Sequence, residues 1–438
     1  MATSRIARRS LLAAGGAAFA AAAAGCGGGN KAAVKDATNE IGDDPKKIEG
    51  SITYAYWDIN QEAMLKDVMK AFNEKYPNVK VQLNMVPFKD YFTKLRAQAS
   101  SKALPDVFWM NGPNFRSYAE NGQLASLKAL VDDGLIDPKK YPSALVEMYT
   151  VDGELFATCK DVDCVGIWYN KKLFDQAGVA YPDETWTLDT YKEKALELTD
   201  KLPDGVWGCA EVFSRTASYY HSIAINGGWV ISDDKTKSGY DDPKTIEGVK
   251  FWRDLIEIGA CPEQDFLAEN SCYGMFEGGL VAMQWSGNWR VGALIDSSVK
   301  DDCAVAYLPG GDNRKTAVHG LGHVISANTK NLAASQALVT FLAGEEAAKI
   351  SAESGIALPA LEGTQDPYVD AQPGYNLEVF VDQAQNSAVP FPVSKTCPEW
   401  EELEGEYLSK VFNGEVSAEE GCKELAKAMN EVLKKENS

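Results

Sequence analysis

An α/β fold in two domains is predicted, on three observations. Strand-like and helix-like periodicities alternate along the chain. Roughly 390 residues follow the leader and the polar segment after it, more than a single core ordinarily organises. At 45% hydrophobic and 24% charged residues, the composition is that of a globular chain.

The alternation opens with Ser51–Trp57, a short β-type run. From Gln61 to Tyr76, Met64, Leu65, Val68, Met69 and Phe72 recur on one helical face, and Pro77 ends the segment. Val79–Val86 then alternates, with Val79, Val81, Leu83 and Met85 set against Lys80, Gln82 and Asn84. A helix over Tyr91–Ser101 and a strand over Asp106–Met110 complete an order typical of a parallel sheet covered by helices. Further helices are predicted over Thr187–Leu202, Pro243–Ile258 and Leu332–Leu342, and through Glu399–Lys434. Short strands fall near Val165–Tyr169, Leu280–Gln284, Cys303–Leu308 and His323–Ala327. In open α/β sheets, ligands bind beyond the carboxyl ends of the strands, so the loops there are the places to search.

The first residues read as an export signal. Arg5, Arg8 and Arg9 precede an unbroken small and apolar run of 14 residues, Leu11 to Ala24. A spanning helix needs about 20, so this run is a signal-peptide core. Arg8-Arg9-Ser10-Leu11-Leu12 resembles a twin-arginine motif. Ala23-Ala24-Gly25-Cys26 resembles a bacterial lipobox, which implies acylation of Cys26 and a signal peptide of residues 1–25. Residues 26–50 are polar, with few large apolar side chains, and read as a flexible tether reaching on the order of 27 Å.

Formal charge is −20, and losing three arginines with the leader takes it to −23. That balance favours solubility and argues against nucleic acid or an anionic lipid surface as partner. Of nine cysteines, eight remain after Cys26: Cys159, Cys164, Cys209, Cys261, Cys272, Cys303, Cys397 and Cys422. An even number on an exported chain suggests disulfides, Cys159 and Cys164 being close enough to close a small loop, with free thiols the alternative.

Four stretches carry a resemblance. They are Pro105-Asp106-Val107-Phe108-Trp109 leading to Tyr118–Leu124; Asp152–Ala157 followed by Trp168–Gly178; Met275–Met283 closing on Ser286-Gly287-Asn288-Trp289; and His323–Asn328 before an amphipathic helix. Together and in this order, they resemble the family 1 extracellular solute-binding proteins of carbohydrate ABC importers, the maltodextrin-binding type. The resemblance implies a periplasmic-binding-protein type II fold, two α/β lobes joined by a hinge that the chain crosses several times. Crossings are expected near Asp161–Cys164, Gly320–Gly322 and Pro359–Gly363. The lobes would then be residues 51–161 with 322–360, and 162–321 with 361–438. It further implies a mono- or oligosaccharide ligand in the cleft, ABC permease subunits as partners, membrane attachment through the lipid anchor, a monomer, and no cofactor.

A sugar presents weakly apolar C–H faces that stack on aromatic rings, and hydroxyls that need amide or charged partners. Trp289 is the leading candidate, with Gly287 allowing close backbone approach; the resemblance places a stacking aromatic here, and a core role is the alternative. Trp285 poses the same choice. Trp57, Asp58 and Asn60 lie where the first strand meets the first helix, as ligand contacts or, for Asp58 and Asn60, helix caps. Met110, Asn111 and Asn114 occupy the loop after the third strand, and Asp163 the first crossing. Arg215 stands near a position where the maltodextrin branch has an acid, which hints at a different and acidic sugar. Trp229 follows Gly227-Gly228 as a stacking or capping ring, and Gly320 is a candidate backbone contact. His319 and His323 have zinc-like spacing but lack the helix and glutamate of a hydrolase motif, so no metal site is assigned.

The rival classes are a secreted carbohydrate-active enzyme and a binding protein for a non-sugar solute. An enzyme would need a positioned carboxylate pair, and none sits in a recognisable motif. No GxSxG, HExxH or P-loop occurs in the chain.

Overall fold

The computed structural model describes residues 38–437; the signal-peptide and lipobox readings, Cys26 included, lie outside them. Three strands open the fold: β1 (Gly50–Tyr56), β2 (Val79–Met85) and β3 (Val107–Asn111). A small hairpin of β4 (Thr150–Val151) and β5 (Glu154–Leu155) leads to β6 (Ala157–Cys159) and β7 (Val165–Asn170). Next come β8 (Trp207–Cys209), β9 (Val281–Gly287), β10 (Cys303–Ala306), β11 (Thr316–Val318), β12 (Leu321–Ile325) and β13 (Ala388–Pro390).

The first sheet has the order β2-β1-β3-β12-β6. β1 runs parallel to β2 and β3, while β12 enters antiparallel beside β3, with Met110 opposite Gly322. A strand from the second half of the chain thus completes a sheet begun in the first. Helix Glu62–Lys75 covers it with Met64, Leu65, Val68, Met69 and Phe72, the five residues that the periodicity selects. The second sheet has the order β10-β7-β9-β8 and is buried on both faces. Along β7, Val165, Ile167 and Tyr169 face one apolar cluster and Trp168 the other; Ala304 and Ala306 alternate with Cys303 and Val305 in the same way on β10. Two such sheets, each built from separated segments, form the two-lobed type II fold.

Between the sheets, three segments lie side by side. Asp163 and His319 exchange backbone hydrogen bonds of 2.7 and 3.0 Å, and the Val162 N–H donates to Leu358 O at 2.9 Å. These are the segments nominated as crossings.

Three expectations need correction. Residues 38–49 are not a free tether. Gln336, buried on helix Leu332–Leu342, donates to Thr38 O and accepts from the Glu40 N–H, each at 2.8 Å. Asn78 donates to Lys46 O, and Ile48 is buried. Two isoleucines, Ile41 and Ile48, supply the apolar contact that bulk polarity concealed. The boundary at 360/361 also falls short, because the Glu362 N–H donates to Lys140 O and helix Asp366–Ala371 packs beside Gly355 on helix Glu345–Glu353. Finally, the eight cysteines are buried and unbridged. Cys159 lies on β6 in the first sheet, whereas Cys164, beyond the crossing, donates its thiol to Phe380 O, so sequence proximity does not make them a pair. Among the described residues no helix is long and apolar enough to cross a membrane.

Candidate ligand-binding site

Both main sheets turn the carboxyl ends of their parallel strands toward the paired segments. In the first sheet this edge carries Trp57, Asp58 and Asn60 after β1, and Asn111 and Asn114 at the end of β3. In the second, β8 and β9 are parallel and end at Cys209 and Gly287, while the antiparallel β7 begins there, directly after the crossing. The loop carrying Arg215 and the turn carrying Trp289 therefore leave the second sheet on its hinge side.

Asn288 fixes the crossing strand to this edge: its amide donates to Val162 O at 2.9 Å and accepts from the Cys164 N–H at 3.0 Å. Asp161 accepts from the Leu321 N–H at 2.7 Å and pairs with Lys160, whose ammonium lies over the Trp109 ring. Asp163 is buried. Burial first, and then the Asp161 charge, push its carboxyl well above the usual range, with Asp58 near enough to add to the effect. Burial likewise pushes the His319 imidazole down to about 3, helped by His221 and Arg215 nearby. The 3.5 Å approach of Asp163 Oδ2 to His319 Nδ1 is therefore a contact between groups held toward their neutral forms, not a salt bridge.

The half-buried Trp289 ring lies 5.6 Å from the His319 ring, and Phe391 meets the other side of His319 edge-on at 5.1 Å. Gly287 makes room for it, since a Cβ there would fall 1.9 Å from the indole. Arg215 is held by Glu401 at 2.7 Å. Behind them Glu404, fully buried, accepts hydrogen bonds from Tyr219, Tyr220 and Tyr240. Its carboxyl is pushed up to about 7, chiefly by burial. Two contacts cross from elements of one sheet to those of the other: Lys395 pairs with Glu120 at 2.9 Å, and Asn60 abuts Gly292.

The structure thus gathers Trp57, Asp58, Asn60, Asn111, Asn114, Asp163, Arg215, Gly287 and Trp289 around the hinge. Asp58 and Asn111 also cap their helices: Asp58 accepts from the Asn60 N–H, and Asn111 from the Asn114 N–H and side-chain amide. Four nominated residues do not fit. Met110 is fully buried in the first core, its carbonyl taken by the Tyr149 hydroxyl. Trp285 is fully buried because β9 continues past Gln284 and turns its indole into the second core. Gly320 packs on Asp161 O, and its own carbonyl accepts from Tyr149, so it is a hinge glycine. Trp229 lies against Gly239 and under Lys237, bonded through its backbone to Thr245 and away from the hinge. The Glu401 partner also meets the charge of Arg215, which removes the hint of an acidic ligand. Sequence reasoning missed His319, weighed only as a metal ligand, and Phe391 and Glu401, which sit in the loosely patterned C-terminal third; His319 abutting a crossing glycine was the available signal.

The family model for bacterial extracellular solute-binding proteins matches residues 55–349. The chain belongs to this family. It is similar to a galactooligosaccharide-binding protein of Bacillus subtilis, 26% identical over 336 residues that cover 73% of this chain and 76% of the relative. A maltooligosaccharide ABC transporter solute-binding lipoprotein of Streptococcus pneumoniae is 23% identical over 396 residues, 86% of this chain and 88% of its own. Among solved structures, an ABC substrate-binding protein of Listeria monocytogenes in complex with cycloalternan superposes with a TM-score of 0.82 at 28% identity, covering 88% of this chain and 99% of that one.

Proposed function

We propose that the protein captures a carbohydrate in the cleft between its lobes and delivers it to the permease subunits of an ABC importer. It does so as a monomer held at the outer face of the membrane through acylated Cys26. One observation carries the reading: a half-buried tryptophan, Trp289, lies against Gly287 and beside the hinge histidine, just past the end of β9. A ring so placed stacks on the C–H face of a sugar, while Asp58, Asn60, Asn111 and Asn114 offer carboxylate and amide partners to hydroxyls. The names of the relatives, which specify galacto- and maltooligosaccharides, support the same ligand class. With Arg215 committed to Glu401, a neutral sugar suits the cleft better than an acidic one. The relatives' names are those of binding proteins, which supports a sugar that is bound and released whole.

A thermal-shift screen over neutral sugars, sugar acids and polyols tests this. The bound sugar should add about 2.7 kcal/mol to unfolding at a hundredfold excess over Kd. Mass spectrometry should then recover it intact. Hydrolysis products would move the protein to the enzymes, and stabilisation by non-sugar solutes alone would replace the ligand class.

A further inference from the structure

Eight large apolar side chains are exposed among the described residues, and three of them gather at one corner of the first sheet: Ile59 at 54%, Phe88 at 57% and Met85 at 37%. The register explains the grouping. Tyr56 pairs with Met85, so β1 and β2 end together; Trp57 and Ile59 follow one strand, and Phe88 opens the helix after the other. Phe88 is the outer member of an aromatic cluster, packed tilted and edge-on, whose root is buried. Its ring lies 5.5 Å from Trp57, which in turn meets Tyr91 at 4.9 Å and the fully buried Trp109 at 5.2 Å.

This corner is continuous with the candidate site. Along the hinge-side edge, β2, β1, β3 and β12 follow one another, carrying Phe88, then Trp57 and Asp58, then Asn111 and Asn114, then the hinge. Three strand spacings of about 4.8 Å give a row of roughly 14 Å. A single sugar ring stacked on Trp289 leaves the outer end of that row unused.

Resting on the carbohydrate reading above, we propose that Phe88 with Trp57 forms an outer stacking subsite. It holds the far ring of a linear oligosaccharide whose inner end lies at Trp289. The solute is then a chain of sugar rings, and this corner reads its length. Edge-on packing against rings rooted in the core holds the Phe88 ring in place, while its exposure leaves it open until a sugar covers it.

The test uses the mature protein and two probe series, linear malto- and galacto-oligosaccharides of one to five units, titrated by calorimetry. In the series that binds, affinity should rise with chain length. Phe88→Ala should weaken the longest members roughly 2- to 12-fold and leave the shortest unchanged. Phe88→Trp should restore binding and Phe88→Leu should not, which separates ring stacking from mere apolar contact. Unchanged affinities in Phe88→Ala, or equal weakening at every length, overturn the subsite. Unchanged affinity with lost uptake in cells also overturns it and gives the corner to the permease. A sugar bound regardless of length sinks the subsite alone, whereas a protein that answers only to non-sugar solutes sinks the carbohydrate reading beneath it.

Discussion

Trp285 and Trp289 stand four residues apart, with the end of β9 between them. Trp285 is inside the strand, fully buried, with Trp252 at 4.8 Å and Tyr191 at 5.7 Å edge-on around it. Its backbone N–H is held by the buried Glu211 carboxyl, which also takes the Tyr191 hydroxyl. Trp289 lies past the strand in the turn Asn288–Arg290, half-buried, over a glycine and beside His319. The residue type and the neighbourhood in sequence are the same. What separates the two tryptophans is whether the strand still holds the backbone, because the pleat fixes which face a side chain enters and the turn beyond it does not.

The comparison breaks most readily at Trp285. Trp285→Ala should lower unfolding free energy by about 3–5 kcal/mol in chemical denaturation, a large part of the usual 5–15 for a domain. Protein that remains folded should bind sugar with nearly unchanged affinity. A variant of wild-type stability that no longer binds would reverse the two roles.

Trp289→Ala is expected to do the opposite. Loss of stacking and of the buried area should raise Kd more than about tenfold in calorimetric titration, with a smaller loss of stability than at Trp285. Heavy destabilisation with intact affinity in the folded fraction would make Trp289 a core residue.

The finest test leaves both tryptophans in place. Gly287→Ala puts a methyl where the indole lies, so the ring must leave its position. Kd should rise between about two- and tenfold, less than on deleting the ring, with the fold intact. An unaltered Kd would show that the position of the Trp289 ring is immaterial to binding.

Much of this was legible in the sequence, for identifiable reasons. The first helix and β2 follow from periodicity, whereas β1 and β3, buried over most of their length, were legible as short apolar runs between the helical patterns. Trp289 was nominated from the family resemblance with Gly287 allowing a close approach, and the structure does seat its ring against Gly287. Trp285 was not, because a strand buried on both faces shows no alternation, and β9 ran three residues beyond the predicted stop. Arg215 was read as a free charge because its partner Glu401 lies almost two hundred residues away. Phe88 hid within a helix start and was distinguished only by the exposure of its ring. The tether was overdrawn for a like reason, as two isoleucines among polar residues are too few to register in composition.

That docked N-terminal segment has a mechanical consequence. Thr38 and Glu40 are bonded to Gln336, Asn39 to Asp133, and Lys46 to Asn78, all on elements that surround the first sheet. A pull applied at residue 38 enters the molecule through these bonds and is borne by the elements around the first sheet. The load therefore stays with the first sheet, and the second, whose β9 leads into Trp289, is spared it.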